Sequence, residues 1–238
     1  MKKWVYAFTE GDGKNKKLLG GKGANLCEMT QIGLNVPPGF VISTEACLHY
    51  LDSAEHELPP EVMGQVREQM EKLELATGKG FGDAENPLLV SVRSGSALSM
   101  PGMMDTILNL GLNSRTLQGE IAHTGDARFG YDAYRRFIQL FGKVAMGVPD
   151  ELFDTEFEMV KQAARVTEDV GLSADNLQEI CERFLQLFQA HTGRPFPEDP
   201  YEQLELSIKA VFNSWMGKRA VDYRREFHIT PDMADGTA

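Results

Sequence analysis

The chain has 238 residues with 42% hydrophobic and 25% charged side chains, a composition typical of a globular protein with one large or two small domains. Its net charge of −11 argues against general affinity for nucleic acid or for an anionic membrane surface. No stretch approaches the roughly 18 apolar residues of a membrane-spanning helix, and no signal-peptide core follows the N-terminal lysines. The three cysteines form no CxxC pair and are predicted to be buried free thiols, so we expect a cytoplasmic protein.

The first elements are short. Residues 3–9 are predicted to form a strand, and residues 22–32 a helix that ends at Gly33. The predicted apolar face of this helix consists of Leu26, Met29 and Ile32.

A second strand and a longer helix follow. Residues 40–42 are predicted as a strand, and Ser43 as the N-cap of the next helix. A helix that opens at the proline pair 59–60 is predicted to run to residue 77 and to end at Gly78. The nearly continuous apolar run 88–92 predicts a buried strand.

Helical periodicity dominates after about residue 112. Apolar residues at helical spacing are Tyr134, Phe137, Ile138 and Phe141, and then Leu177, Ile180, Cys181, Phe184 and Phe188. The tetrapeptide Ala-His-Thr-Gly occurs twice, and we interpret both copies as helix ends closed by Gly125 and Gly193 rather than as a repeat. Two more helices are predicted near 200–214 and 217–227.

These elements predict an α+β fold in three parts. Residues 1–112 form an α+β lobe, residues 113–198 a helical insert, and residues 199–238 a return segment that packs back on the first lobe.

Because the protein is acidic, a site for polyphosphate would need cations gathered locally. The glycine-rich run 18–26 is the first candidate, since glycine allows close backbone approach and a helix that starts near Lys22 offers free N–H groups. It is not a P-loop, which needs glycine at the place of Lys16 and a hydroxyl residue at the place of Gly23. A glycine turn with a solvated lysine is the alternative.

The second candidate is the run 91–106, which leaves the buried strand. Arg93 at the end of this strand offers a planar fork of donors for phosphate, and Ser94, Ser96 and Ser99 offer hydroxyls. The alternative is a surface loop whose methionines lie at a domain contact.

Other candidates have less support. A solvated or ion-paired role is favoured for Arg136 and its neighbour Arg135. The five histidines are scattered without metal-ligand spacing, so we predict no metal site in this chain, and no G-x-S-x-G motif supplies a hydrolase nucleophile.

Several segments resemble one enzyme family in the same order along the chain. They are Leu-Leu-Gly-Gly-Lys-Gly-Ala-Asn-Leu (18–26), Val-Pro-Pro-Gly-Phe (36–40), Ser-Thr-Glu-Ala-Cys (43–47), Ser-Val-Arg-Ser-Gly (91–95), Ser-Met-Pro-Gly-Met-Met-Asp-Thr (99–106), Phe-Gly-Tyr-Asp-Ala-Tyr-Arg-Arg-Phe (129–137) and Ala-Val-Phe-Asn-Ser-Trp (210–215). Together they resemble the pyruvate, phosphate dikinase family, and the Met-Pro-Gly-Met-Met-Asp-Thr run is highly specific.

The resemblance implies the first lobe of an ATP-grasp domain. In this family ATP phosphorylates a histidine on a separate domain of the same chain, and AMP and, with phosphate, pyrophosphate are released. The phosphohistidine then converts pyruvate to phosphoenolpyruvate. By the family motif, Lys22 and Arg93 contact the ATP phosphates. A covering segment comprises Gly102, Met103, Met104 and Asp105, and Arg136 matches a nucleotide-site arginine.

The resemblance also implies parts that lie outside this sequence. The second ATP-grasp lobe with its Mg²⁺ carboxylates, the phosphohistidine motif and the pyruvate-binding barrel would follow Ala238. We therefore expect a truncated chain that is monomeric and does not turn over, although the full-length family is homodimeric. Ala97 stands where several family members have arginine, so one phosphate contact is expected to be missing.

Two alternatives remain open. A phosphoenolpyruvate synthase-like dikinase would use the same kind of nucleotide domain, but its version of the Arg93 loop differs. A non-catalytic module would use the helical residues 113–198 for protein contacts and retain the glycine loops as scaffold.

Overall fold

A computed structural model describes residues 2–96, 105–230 and 235–237. Its strands are β1 (Val5–Ala7), β2 (Phe40–Ile42), β3 (Val90–Ser96), β4 (Thr106–Leu110) and β5 (Asp235–Thr237). Its helices are α1 (Lys16–Gln31), α2 (Thr44–Asp52), α3 (Val62–Thr77), α4 (Thr116–Thr124), α5 (Ala127–Met146), α6 (Asp150–Ala164), α7 (Ala174–Thr192), α8 (Pro200–Ser214) and α9 (Lys218–Glu226). The predicted α+β class is confirmed. Across these ranges, every helix is too short or too polar to cross a bilayer.

The chain divides into two compact units. The first comprises Met1–Gly78, Val92–Thr106 and Ile208–Ala238, and the second comprises Lys79–Ser91 and Ile107–Ser207. The chain therefore leaves the first unit and returns to it twice. The three-part division predicted at residues 112 and 198 remains a prediction.

The first unit is built on β1, β2, β5 and most of β3, which lie in that order across the sheet. Strand β2 is antiparallel to both β1 and β5, and β5 is antiparallel to β3. Helix α1 packs on β2 and β5. The core beneath α1 consists of Phe8, Leu19, Ala24, Cys27 and Val41.

The buried face of α1 differs from the predicted one. Of the predicted residues, Leu26 is partly buried against this core, whereas Met29 and Ile32 are largely exposed. Gly23, Ala24 and Cys27 are buried. Small residues allow the helix axis to approach the sheet closely, so the contact face is set by small side chains rather than by the largest apolar ones. The helix also begins at Lys16, and a break at Gly20 separates this first turn from the helix that was predicted to start near residue 22.

The second unit is a helical assembly in which α5 packs against α4, α6 and α7. Aromatic rings fill its centre: Phe196 meets Phe137, Phe141 and Phe188 edge to face, with centroid distances of 5.1–5.5 Å. Every residue of the two predicted periodic sets is buried, so that prediction is confirmed. The chain is left-handed at Gly125 and Gly193, which confirms the two glycine-closed helix ends.

Other local predictions are also confirmed. The Ser43 hydroxyl accepts a hydrogen bond from the Ala46 amide at the start of α2. Helix α3 ends at Gly78, which is left-handed with φ of 68°. All three cysteines are buried and free.

Candidate functional site

Helix α1 consists of two helical segments joined at Gly20. Gly20 has φ of 69° and ψ of 165°, a conformation that glycine adopts without a steric penalty and other residues avoid. The first segment is capped by the Asn15 side chain, which accepts a hydrogen bond from the Leu18 amide at 3.1 Å. The second segment starts just before Lys22, so its first N–H groups and its positive dipole end lie at the predicted position.

The second segment is pressed onto the sheet at Gly23. A Cβ atom at this position would lie 2.8 Å from one methyl carbon of Val41 and 2.9 Å from the other. Normal carbon–carbon contacts are about 3.5–4.0 Å, so only glycine fits this position. The start of the second segment is therefore fixed against β2.

Four lysines surround the break in the helix. Lys14, Lys16, Lys17 and Lys22 are exposed, and none of them forms an ion pair with any residue in the described part of the chain. By contrast, Lys2 and Lys3 in the same unit pair with Glu45 and Glu10. An acidic protein thus keeps a group of uncompensated cations beside the glycine segment.

The register of the sheet fixes the face on which Arg93 lies. Thr237 of β5 lies opposite Ile42 of β2 and opposite Ser94 of β3, so Ile42 and Ser94 point to the same face. Their neighbours Val41 and Arg93 therefore point to the other face, which is the face that α1 covers at Val41.

Val41 and Arg93 also lie at the same level of the sheet. Two strand spacings separate them, which corresponds to about 10 Å. Arg93 is exposed, and its guanidinium forms no hydrogen bond or ion pair within residues 2–96, 105–230 and 235–237. Lys22 precedes the glycine that touches Val41, so the structure brings the helix of Lys22 and the side chain of Arg93 to one face.

The remaining predicted residues have different surroundings. Asp105 pairs with Arg219 of α9 at 2.9 Å. The predicted residues Gly102, Met103 and Met104, and the departure at Ala97, lie outside the described residues.

Arg136 belongs to the second unit and has a partner. Its Nε donates to the Asp132 carboxylate at 2.9 Å, while its side chain is 61% exposed. The other Asp132 oxygen accepts from Arg135, which is buried and lies over the Phe157 ring. Burial raises the pKa of Asp132, but the hydrogen bonds and charges of Arg136 and Arg135 outweigh this effect and hold the pKa below its ordinary value.

Comparison with known families identifies the chain. The family model described as "Pyruvate phosphate dikinase, AMP/ATP-binding domain" matches residues 16–58 and 54–235. The chain belongs to this family. The match includes both glycine-rich runs and the helix that carries Arg136, which confirms the predicted resemblance.

Curated relatives carry the same family name. The chain is 56% identical over 234 residues to pyruvate, phosphate dikinase of Entamoeba histolytica, covering 98% of this chain and 26% of that protein. It is 48% identical over 239 residues to the Clostridium symbiosum enzyme, covering 100% of this chain and 27% of that protein. Pyruvate, phosphate dikinase 1, chloroplastic, of Zea mays is 47% identical over 233 residues, with 96% and 24% covered. The chain thus spans about a quarter of the length of the relatives that it matches.

No metal-binding group is apparent in the part of the chain that the structure describes. Within that part, no three or more histidine, cysteine, aspartate or glutamate side chains come together in a way that could hold a metal ion.

One polar contact of the glycine segment was not predicted. The Thr44 hydroxyl lies 2.6 Å from the Lys17 carbonyl oxygen and 3.2 Å from that of Leu18. Its partners are 26 and 27 residues away in sequence. No local pattern indicates such a contact, although Thr44 belongs to one of the segments that carry the family resemblance.

Proposed function

We propose that this chain forms one wall of the ATP site of a pyruvate, phosphate dikinase with an ATP-grasp nucleotide domain. The full-length enzyme would convert ATP, phosphate and pyruvate to AMP, pyrophosphate and phosphoenolpyruvate through a phosphohistidine on another domain of the same polypeptide. Lys22 and Arg93 would hold the ATP phosphates, and the segment around Gly102, Met103, Met104 and Asp105 would cover them.

The observation that supports this proposal best is the pair of uncompensated cations on one face of the sheet. Lys22 and Arg93 come from distant parts of the sequence, and two observations support their convergence: Arg93 shares a sheet face with Val41, and Gly23, next to Lys22, lies against Val41. A hydrogen bond between charged groups contributes about 1.5–3 kcal/mol, so the pair would offset the repulsion from an acidic protein. Phosphoryl transfer depends mainly on positioning and charge neutralisation, which such cations supply.

Arg136 is proposed to contribute less to nucleotide binding than Lys22 and Arg93. Asp132 already accepts two arginine donors, and this carboxylate offsets part of the Arg136 charge. The exposed guanidinium retains donors that would be available to a nucleotide in the full-length enzyme.

Mg²⁺ is proposed to bind through carboxylates in the remainder of the enzyme. When bound, it would neutralise phosphate charge. The residues of this chain would bind and orient the phosphates from the other side. One wall of the cleft is insufficient for catalysis, so the isolated chain is expected to be a monomer that binds ATP weakly and does not turn over. A cytoplasmic homodimer remains the proposal for the full-length enzyme, although the Zea mays relative is named as chloroplastic.

The test replaces each cation in the full-length polypeptide that carries this sequence. Lys22→Ala and Arg93→Ala are each expected to slow AMP and pyrophosphate formation by about 100-fold, the effect of losing one preorganised donor to a charged transition state. Lys218→Ala and Arg225→Ala are matched controls, because these exposed residues lie on α9 and pair with Asp222. Rates within twofold of wild type for both site variants would overturn the proposal.

A further inference from the structure

The hydroxyl of Thr44 occupies an unusual place for a side chain. It approaches the carbonyl oxygens of Lys17 and Leu18, in the last turn before the break at Gly20. In an uninterrupted α-helix these carbonyls would accept the N–H groups of Gly21 and Lys22, four residues further on. Gly20 is not helical, so the regular helix geometry is interrupted next to these carbonyls, and Thr44 supplies them with a donor.

The consequence concerns the N–H groups on the other side of the break. Gly21 and Lys22 are the first residues after Gly20, and the N–H groups of a first helical turn have no partner within their own helix. Because the hydroxyl already donates to these carbonyls, the two segments would gain less free energy by rejoining as one regular helix. Thr44 therefore favours the broken form, in which these N–H groups are available to an anion.

Two further observations indicate that the position of the Thr44 side chain is well constrained. Its side chain is buried, with 4% of the residue exposed, so water does not readily replace the hydroxyl. It is also the first residue of α2, and the adjoining Ser43 joins β2 to this helix and caps it. Residues 41–44 therefore contact the glycine segment at two places. Val41 packs against Gly23, and Thr44 hydrogen-bonds to the turn before Gly20.

We propose that Thr44 is a positioning residue for phosphate binding, which holds the Gly20 break open so that the N–H groups of Gly21 and Lys22 face the nucleotide. The inference rests on the proposed function of Lys22. Thr44 itself would not contact ATP. Loss of its hydroxyl should therefore weaken binding of the polyphosphate part of the ligand and leave binding of the nucleoside unchanged.

The experiment compares ATP and AMP binding by calorimetry in the full-length polypeptide. Thr44→Val keeps the side-chain shape and removes the hydroxyl, and we expect it to weaken ATP binding about tenfold, the equivalent of one hydrogen bond, while AMP binding changes less than twofold. Thr44→Ser retains the hydroxyl and should bind ATP within about twofold of wild type. A second pair, Thr44→Ala against Thr44→Ser, differs by the hydroxyl alone and replaces the first comparison if the valine variant does not fold.

The outcomes separate this inference from the function on which it rests. Lys22→Ala binding ATP as tightly as wild type would overturn both. Weakened binding by Lys22→Ala together with unchanged binding by folded Thr44→Val, or equal losses for ATP and AMP, would overturn the role of Thr44 alone. A urea titration of each variant shows whether a change in affinity arises only from lost stability, in which case ATP and AMP affinities fall together.

Discussion

Replacing Gly23 with alanine tests whether the glycine segment is fixed by its contact with β2. The added Cβ would lie 2.8 and 2.9 Å from the two methyl carbons of Val41, whereas normal contacts are about 3.5–4.0 Å. Helix or strand must therefore move by about 0.7 Å or more. Val41 is fully buried and stiff about χ1, so rotation of its side chain offers little relief.

The magnitude follows from two opposing effects. Alanine in place of glycine in a helix gains roughly 0.5–1 kcal/mol, but overpacking a core costs about 1–3 kcal/mol, so Gly23→Ala should lower the free energy of unfolding by about 1–2 kcal/mol. Gly64 in α3 is the matched control, because nothing lies within 4 Å of its would-be Cβ. Gly64→Ala should raise the free energy of unfolding by roughly 0.5–1 kcal/mol.

Tryptophan fluorescence is a suitable assay. The sequence has two tryptophans, Trp4 and Trp215, and both are buried in the first unit, so their fluorescence during urea unfolding reports on this unit. Val41→Ala removes both clashing methyl groups, so Gly23→Ala should cause little further loss in that background, with a coupling of about 1–2 kcal/mol. Equal stabilisation by Gly23→Ala and Gly64→Ala, or additive effects with Val41→Ala, would refute the reasoning.

Two further predictions concern the second unit. Asp132→Asn should lower its stability at pH 7 by about 1–2 kcal/mol, measured by circular dichroism, because Arg135 and Arg136 lose a charged acceptor. The folded pKa of Asp132 lies below its ordinary value, so this contribution is present above about pH 4 and is lost as the pH falls through the folded pKa. The variant should therefore lose less stability than wild type between pH 5 and pH 3, and equal losses would contradict the pairing. Burial raises the pKa of Cys181 to about 12, so a thiol reagent at pH 8 should modify it at least about 1000-fold faster in urea than in the native protein; rapid native modification would contradict its burial.

The helical second unit was largely predictable from sequence. Its apolar residues repeat at helical spacing, and a helix end closed by glycine depends on a few neighbouring residues, as at Gly125 and Gly193. The family resemblance was equally accessible, because motifs such as Met-Pro-Gly-Met-Met-Asp-Thr are contiguous.

The packing of α1 was predicted less well. The sequence suggests Leu26, Met29 and Ile32 for the apolar face, but Leu26 is only partly buried, and Gly23 and Cys27 are the buried residues. Hydrophobicity alone ranks large apolar side chains first, whereas close approach of a helix to a sheet favours small ones. The position of β5 between β2 and β3 was not predicted either, because strand neighbours are set by contacts between distant segments.

The sequence by itself determined the family and the helical character of the second unit, and it indicated the residue types that we expect to meet a phosphate. The tertiary structure alone decided which face of α1 is buried, that Val41 and Arg93 share one level and one face of the sheet, and that Thr44 bonds to the turn before Gly20. The physical reason is the separation along the sequence of the residues that interact. Helix periodicity and capping depend on neighbours within about one or two turns. Strand order, register and the Thr44 hydrogen bond join residues that approach each other only after the chain has folded.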